Sequence, residues 1–301
     1  MPGEFCSAVW RIHHRYWWSL SFAVPLSYGT LRERGSKLRA ASLREVRAIR
    51  RSHQDYIHNR SQSSDAFSPR VGLVYQPLAP ISLYASYSRS FTPNSGNAFD
   101  GSAFKPLYGT SYEVDIKGDI GNRVSATLAF YDLTLSNVLT DDPDHTGYLI
   151  LTGEQRSKGV ELSLAGEILP GWNVIAGYAY TDAEVTKDTD PSQVGKVLNN
   201  IPKHSFNIWT SYKIQTGSLK GFGVGRGLFF VGDRQGDLAN TFELPSYLRT
   251  DAAIFYKRDR FRAAINFKNL FNVDYFDSAR NQLNVYYGDP FAVQGTISWQ
   301  F

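Results

Sequence analysis

From Ala66 to its end the chain is written in period two. ISLYASY sets Ile81, Leu83, Ala85 and Tyr87 on one side and Ser82, Tyr84 and Ser86 on the other. GVELSLAGEI and RFRAAINFKN repeat the pattern, and so does the closing stretch, VQGTISWQF. Such alternation marks a β-strand with one apolar and one polar face. Eleven runs of this kind follow one another, near 66–76, 81–91, 108–119, 122–138, 154–168, 172–185, 204–215, 221–232, 246–258, 260–275 and 289–301. The apolar phase of the fourth shifts near Tyr131, which predicts a bulge there.

Length and connection decide what kind of sheet this is. Many runs reach about 11 to 15 residues, whereas strands of soluble domains average about 5–6. A strand tilted across a bilayer needs about 9–11. The connections alternate between short turns (QPLAP, GDIGN, LPG, QTGSLKG, KRDR) and long links at 92–107, 139–153, 186–203, 233–245 and 276–288. Hydrocarbon offers backbone groups no partner, so a sheet crosses it only as a closed barrel. The expectation is an all-β, antiparallel transmembrane β-barrel segment, with short turns on the periplasmic side and long loops outside. A soluble sandwich or propeller is the competing architecture.

Composition supports little else. No stretch approaches the roughly 20 apolar residues of a spanning helix; YWWSLSFAVPL is short and carries Pro25. Of the net charge of +4, residues 1–60 contribute +7 through ten Arg and one Lys against three Glu and one Asp. The barrel-like remainder is therefore acidic, and the basic segment carries no nucleic-acid motif. Cys6 is alone, which excludes a disulfide framework. Only His145 and His204 remain beyond residue 60, so material for nucleophile–base catalysis is poor and no enzyme is expected. Asp141, Asp142, Asp144 and His145 in DDPDHTGY are a weak cation candidate, read first as solvated loop charge. His204, in IPKHSFN, reads as a rim or lumen residue, and Glu113, Asp115, Lys158 and Glu161 as lumen lining.

Several stretches, taken in order, resemble the C-terminal half of a TonB-dependent siderophore receptor. They are DAFSPRVGLVYQP with ISLYASYSRSFTP, FKPLYGTSYEVDIKGDI, QRSKGVELSLAGEILPGWNVIAGYAYTDAEV, VGKVLNNIPKHSFNIWTSY and NLFNVDYF. Leu107 and Asp115 depart from the family's pattern in the second. The terminal Trp299-Gln300-Phe301 resembles the signal read by the outer-membrane barrel assembly machinery, with Trp299 and Phe301 as its aromatic residues. The resemblance implies about 11 strands of a 22-stranded barrel with a plugged lumen, set among membrane lipid in the outer membrane of a Gram-negative bacterium. It further implies transport of a ferric siderophore, energised through the TonB complex, with no covalently bound cofactor and no metal site of its own.

On this reading residues 66–301 are the C-terminal part of the receptor barrel. Residues 1–65 are a non-homologous basic segment, disordered, read out of frame or from a misassigned start. Plug, TonB-contacting segment and signal peptide are not recognised, so the chain reads as truncated at its N-terminal side. A passive porin-like channel and an inactive fragment are the alternatives. In the last long loop, DSARNQLNVYYGDPF, the resemblance points to Tyr286 and Tyr287 before Gly288 as ligand contacts. The family's loop Cys and its Arg after the Gly have no counterpart here. Phe99, Phe104 and Tyr148 in the first two loops are candidates on the same chemistry, since aromatic faces suit amphipathic chelates.

Overall fold

The structure is a computed structural model that describes residues 66–121 and 123–300, and before them the backbone of three short strands. These are β1 (Lys37–Ala40), β2 (Arg51–Asp55) and β3 (Arg60–Ser64). There follow β4 (Arg70–Leu78), β5 (Ile81–Thr92), β6 (Leu107–Ile120), β7 (Val124–Asp141), β8 (Leu149–Leu169) and β9 (Trp172–Lys187). The remainder are β10 (His204–Lys213), β11 (Phe222–Val231), β12 (Arg234–Gln235), β13 (Glu243–Leu244), β14 (Tyr247–Arg258), β15 (Phe261–Lys268), β16 (Phe276–Asn281), β17 (Asn284–Tyr287) and β18 (Ala292–Trp299).

One antiparallel sheet runs β1-β4-β5-β6-β7-β8-β9-β10-β11-β14-β15-β18. Its members from β4 onward are the eleven runs expected from the alternation. Next-neighbour pairing throughout is an up-and-down meander, the wall of a barrel. Short connections at 79–80, 121–123, 170–171, 214–221 and 259–260 lie at one end. Long ones at 93–106, 142–148, 188–203, 232–246 and 269–291 lie at the other. Two of the long loops carry hairpins of their own, β12–β13 and β16–β17.

β1 lies in the segment whose sequence shows no sustained period. It adds to the edge of β4, with Lys37 opposite Gln76. Edge pairing is made by backbone groups, so it asks for no side-chain alternation.

Register sorts the wall into two faces. Leu83, Ile116, Leu128 and Leu162 are successive cross-strand partners, as are Ala85, Val114, Phe130 and Val160. They form an apolar face with many exposed members. The opposite face carries Glu113, Asp115, Glu161, Ser163 and Asn207 around a hollow. Apolar outward and polar inward is the pattern that lipid and a wet lumen impose.

Two expectations need correction. The β6–β7–β8 register is unbroken through Tyr131 and shifts only between Ser136 and Thr140, around Asn137 at φ 62°. The apolar phase changes at Tyr131 because the outward positions beyond Phe130 turn polar, Asp132 pairing with Arg156, while Tyr131, Leu133 and Leu135 face inward. The Tyr131 ring crosses Gly159, where an added Cβ would lie 2.8 Å from the phenol oxygen. The hydroxyl thereby reaches Thr181 Oγ1 on β9, 3.2 Å away. Lys158 belongs to the outward face, opposite Asp132 and Asp182, with its ammonium 3.3 Å from Asp182. His204, the first residue of β10, stands at the rim and faces outward rather than into the lumen, and its Nδ1 lies 2.9 Å from the Tyr178 hydroxyl.

Lys158 can point outward because β7–β9 outrun the apolar belt. Beyond Val160 the outward residues of β8 are Lys158, Arg156 and Glu154, paired respectively with Asp182, Asp132 and Lys187. A ladder of ion pairs there means water, not lipid, on that part of the face.

Inside, β11 opens FGVGRG, and its first three inward positions, Gly223, Gly225 and Gly227, are all glycine. A Cβ on Gly225 or Gly227 would stand 2.7 or 2.6 Å from the Trp209 indole, and one on Gly223 would stand 2.3 Å from the Phe255 ring. Rings from β10 and β14 thus lie flat on bare backbone. This explains why Trp209 breaks the polar phase of its own strand. Gly225→Val is expected to lift the indole and cost about 1–3 kcal/mol by overpacking, read as a shifted Trp emission and a lower melting temperature.

A candidate ligand face built from stapled loops

The five long loops share one end of the wall, and most are tied together by asparagine side chains. Asn200, at φ 63°, accepts from the Ala279 amide at 2.8 Å and donates to the Ala279 carbonyl at 2.8 Å. Asn240 repeats the arrangement with Val197, at 2.9 and 2.8 Å. A side-chain amide here takes the place of a strand residue. Asn tolerates the left-handed conformation these bends need. Asn94 donates to the Asn137 carbonyl, and Asn137 to that of Pro106, binding the first loop to β7. Beneath the staples Ala183, Val185 and Leu198 form a small apolar core with Ile201 and Leu238.

Arg234 is 4% exposed and donates through Nη2 to the carbonyls of Phe276 and Asp277. Burial lowers its pKa, opposed by Tyr247, Asp277 and Asp233. It locks the fourth loop to the fifth. Asn269, of the NLFN stretch, is 1% exposed and holds both ends of the fifth loop. Its side chain bonds the amide and carbonyl of Val273 and the carbonyl of Asp289.

The five aromatic candidates fall into three places. Phe99 and Tyr148 meet edge to face with centroids 5.1 Å apart. Phe104 is 5% exposed and packs beside Gly96, so it offers little face to a ligand. Tyr286 and Tyr287 sit on β17 and are exposed, Tyr287 at 76%, with its ring 5.1 Å from Phe276. Trp299 pairs with Phe261 at the short-turn end, centroids 6.1 Å apart. Phe301 lies outside the described residues.

His145 joins the first of these places. It stacks on Phe99 at 3.6 Å, while its Nδ1 is 3.0 Å from Asp142 Oδ2. Among the described residues no three His, Cys, Asp or Glu side chains converge as metal ligands. Asp142 is instead engaged by the Asp144 amide and by His145, which lower its pKa below 3.8. A lowered carboxylate stabilises the fold above its ordinary value and loses that contribution as pH falls through the lowered one. Acidification below 3.8 is therefore expected to loosen the 142–148 loop, seen as faster amide exchange at Asp144. Unchanged exchange would remove the carboxylate from the latch.

The family described as "TonB dependent receptor-like, beta-barrel" matches residues 42–270. The chain belongs to this family. It is 38% identical over 232 residues to the metal-pseudopaline receptor CntO of Pseudomonas aeruginosa, covering 76% of this chain and 33% of that protein. The ferrichrome outer membrane transporter/phage receptor of Escherichia coli is 34% identical over 241 residues, covering 78% and 32%. Among solved structures, FpvA of P. aeruginosa bound to a pyoverdine aligns with TM-score 0.73 and 25% identity over 91% of this chain and 38% of that one. BauA, the ferric preacinetobactin receptor of Acinetobacter baumannii, aligns with TM-score 0.74 and 23% identity, over 89% and 40%. The chain thus spans about a third of the length of the curated relatives it matches. The eleven-strand meander is a stretch of an outer-membrane receptor barrel, and its long loops are the extracellular ones.

Proposed function

We propose that this chain supplies the C-terminal part of the wall and five extracellular loops of a receptor that takes up a ferric siderophore, energised through TonB. The role is transport, not catalysis, and no resident cofactor is required. The observation that carries this reading is the family match running through the strands and into the stapled loop end. The curated relatives are receptors or transporters for metal–pseudopaline and ferrichrome. Ligand contact falls to exposed rings on stapled loops: Phe99 with His145 and Tyr148 on one side, Tyr286 and Tyr287 on the other. Phe104 supports the first loop from beneath. Trp299 and Phe301 serve barrel assembly, and the outward apolar face meets lipid. On this reading residues 66–301 supply the barrel strands, and of residues 1–65 only β1, among the described residues, joins the wall, at the edge of β4, while the family match itself begins at residue 42.

Deleting the codons for Ala66–Gln300 in the source cell is the test. Uptake of radioactive iron is followed with hydroxamate, catecholate and citrate siderophores. Loss of uptake of at least one is expected, with the same uptake abolished when TonB is absent. Unchanged uptake across the panel overturns the proposal, and uptake that survives without TonB favours a passive channel. Within the responding siderophore, Tyr287→Ala is expected to weaken binding about tenfold, the scale of one lost aromatic contact.

A further inference from the structure

Arg226 is the one charged outward residue on β10, β11, β14 and β15 between the aromatic ends of those strands. Its outward neighbours along β11 are Phe222, Val224, Leu228 and Phe230. Across the strands it faces Thr210 and Ala252. Below, Phe222 meets Tyr256 with centroids 4.7 Å apart, and Tyr212 stands on β10; above, Phe230 stacks on Phe206 at 5.4 Å. Aromatic girdles bound the lipid belt of such barrels, so Arg226 stands at its middle. Tyr212 stands one strand over, opposite Val224. Along β11 four residues separate Arg226 from Phe222 and four from Phe230, about 13 Å along the strand and about 10 Å in height at the usual tilt. That is more than a guanidinium covers by bending toward a headgroup.

The side chain is exposed, and no hydrogen bond or ion pair engages it among the described residues. Thr210, its nearest polar neighbour, is engaged by the Trp172 indole N–H at 2.8 Å and by the Asn173 carbonyl. The inward side offers no route, because the flanking inward positions are Gly225 and Gly227 beneath the Trp209 indole. Arginine at the midplane of a barrel's lipid face shifts the folding equilibrium against the protein by about a hundredfold. Ionisable groups inside a membrane pair with a partner.

We infer that Arg226 marks a docking surface on the outward face of β10–β11–β14, for a second integral outer-membrane protein that presents a carboxylate at mid-bilayer depth. Charge complementarity selects the partner class. Headgroup phosphate lies at the wrong height. A second copy of this chain lacks the partner, because the outward acids of its described wall, such as Asp132, Asp182 and Glu184, lie on the ion-paired ladder beyond the belt. The bare Thr210–Arg226–Ala252 row leaves room for an approaching side chain between the larger Ile208, Leu228 and Ile254.

The test uses native outer membranes carrying the chromosomal protein, with photoreactive benzoylphenylalanine in place of Leu228. Irradiation is expected to give one discrete protein adduct. It should fall at least tenfold in Arg226→Leu and in Arg226→Gln, and persist in Arg226→Lys. Changing one Asp or Glu of the captured protein to its amide should remove the adduct to the same extent. An adduct undiminished by Arg226→Leu, an adduct to lipid only, or one to a second copy of this chain each overturns the inference. Should Arg226→Leu lower the amount of folded protein, the Gln and Lys variants carry the comparison, normalised to the amount present.

Discussion

Asn269→Ala is expected to release the last extracellular loop. The native amide is 1% exposed and makes three bonds, two with Val273 at 2.9 Å and one to the Asp289 carbonyl at 3.0 Å. The residue's own N–H donates to Asp251 Oδ1, at 2.9 Å. Truncation leaves the Val273 amide and two carbonyls without partners. Each unpaired buried group costs about 1–3 kcal/mol, so the variant should lose about 3–5 kcal/mol locally. It also places Ala at φ 48°, a conformation Asn accepts more readily. Protease added to intact cells should cut between Leu270 and Phe291 in the variant and spare the parent. Binding through Tyr286 and Tyr287 should weaken with it, since β17 rides on this loop. Asn269→Asp keeps the acceptor for Val273 and loses both donations, and is expected to fall between the two. Equal protection in all three proteins would show that the loop is held by its other ties, Asn200 to Ala279 and Arg234 to Phe276 and Asp277.

The second large effect concerns the wall. Among the described residues β18 pairs with β15 alone, so one edge of an eight-residue strand is open. Alternate residues of an antiparallel strand aim both backbone groups at such an edge, which leaves about eight groups facing hydrocarbon. At several kcal/mol each, the sum is on the order of tens of kcal/mol, beyond the 5–15 kcal/mol by which folded proteins exceed their unfolded states. The 301-residue chain expressed by itself is therefore expected to make no stable monomeric barrel. Heated and unheated samples should migrate alike in detergent gels. A heat-modifiable, protease-resistant species from this chain alone would contradict that, because it requires both edges to be closed.

The alternation of apolar and polar residues was enough to place eleven strands, their order and the two ends of the wall, because side-chain direction in a strand is a local property with period two. Long strands and alternating turn lengths then chose bilayer over water. The same parity put Glu113, Asp115 and Glu161 on one face. It also separates Lys158 from Glu161, three residues apart and necessarily on opposite sides; the outward lysine became intelligible only once β7–β9 were seen to run past the lipid. Tyr131 shows the converse limit. Its phase break looked like a bulge, and proved to mark where the outward face turns polar at Asp132, with the ring laid inward over Gly159 of the neighbouring strand.

The loop end was decided by tertiary structure. Asn200 and Ala279 are 79 residues apart, Asn240 and Val197 are 43 apart, and the periodicity of either segment says nothing of their meeting. Phe99 and Tyr148 could be picked out as aromatic, but their contact, the stack with His145 and the burial of Phe104 depend on how two loops fold over each other. The backbone's two-residue repeat is fixed by covalent geometry and solvent. A bond between distant loops exists only after the wall has brought their ends together.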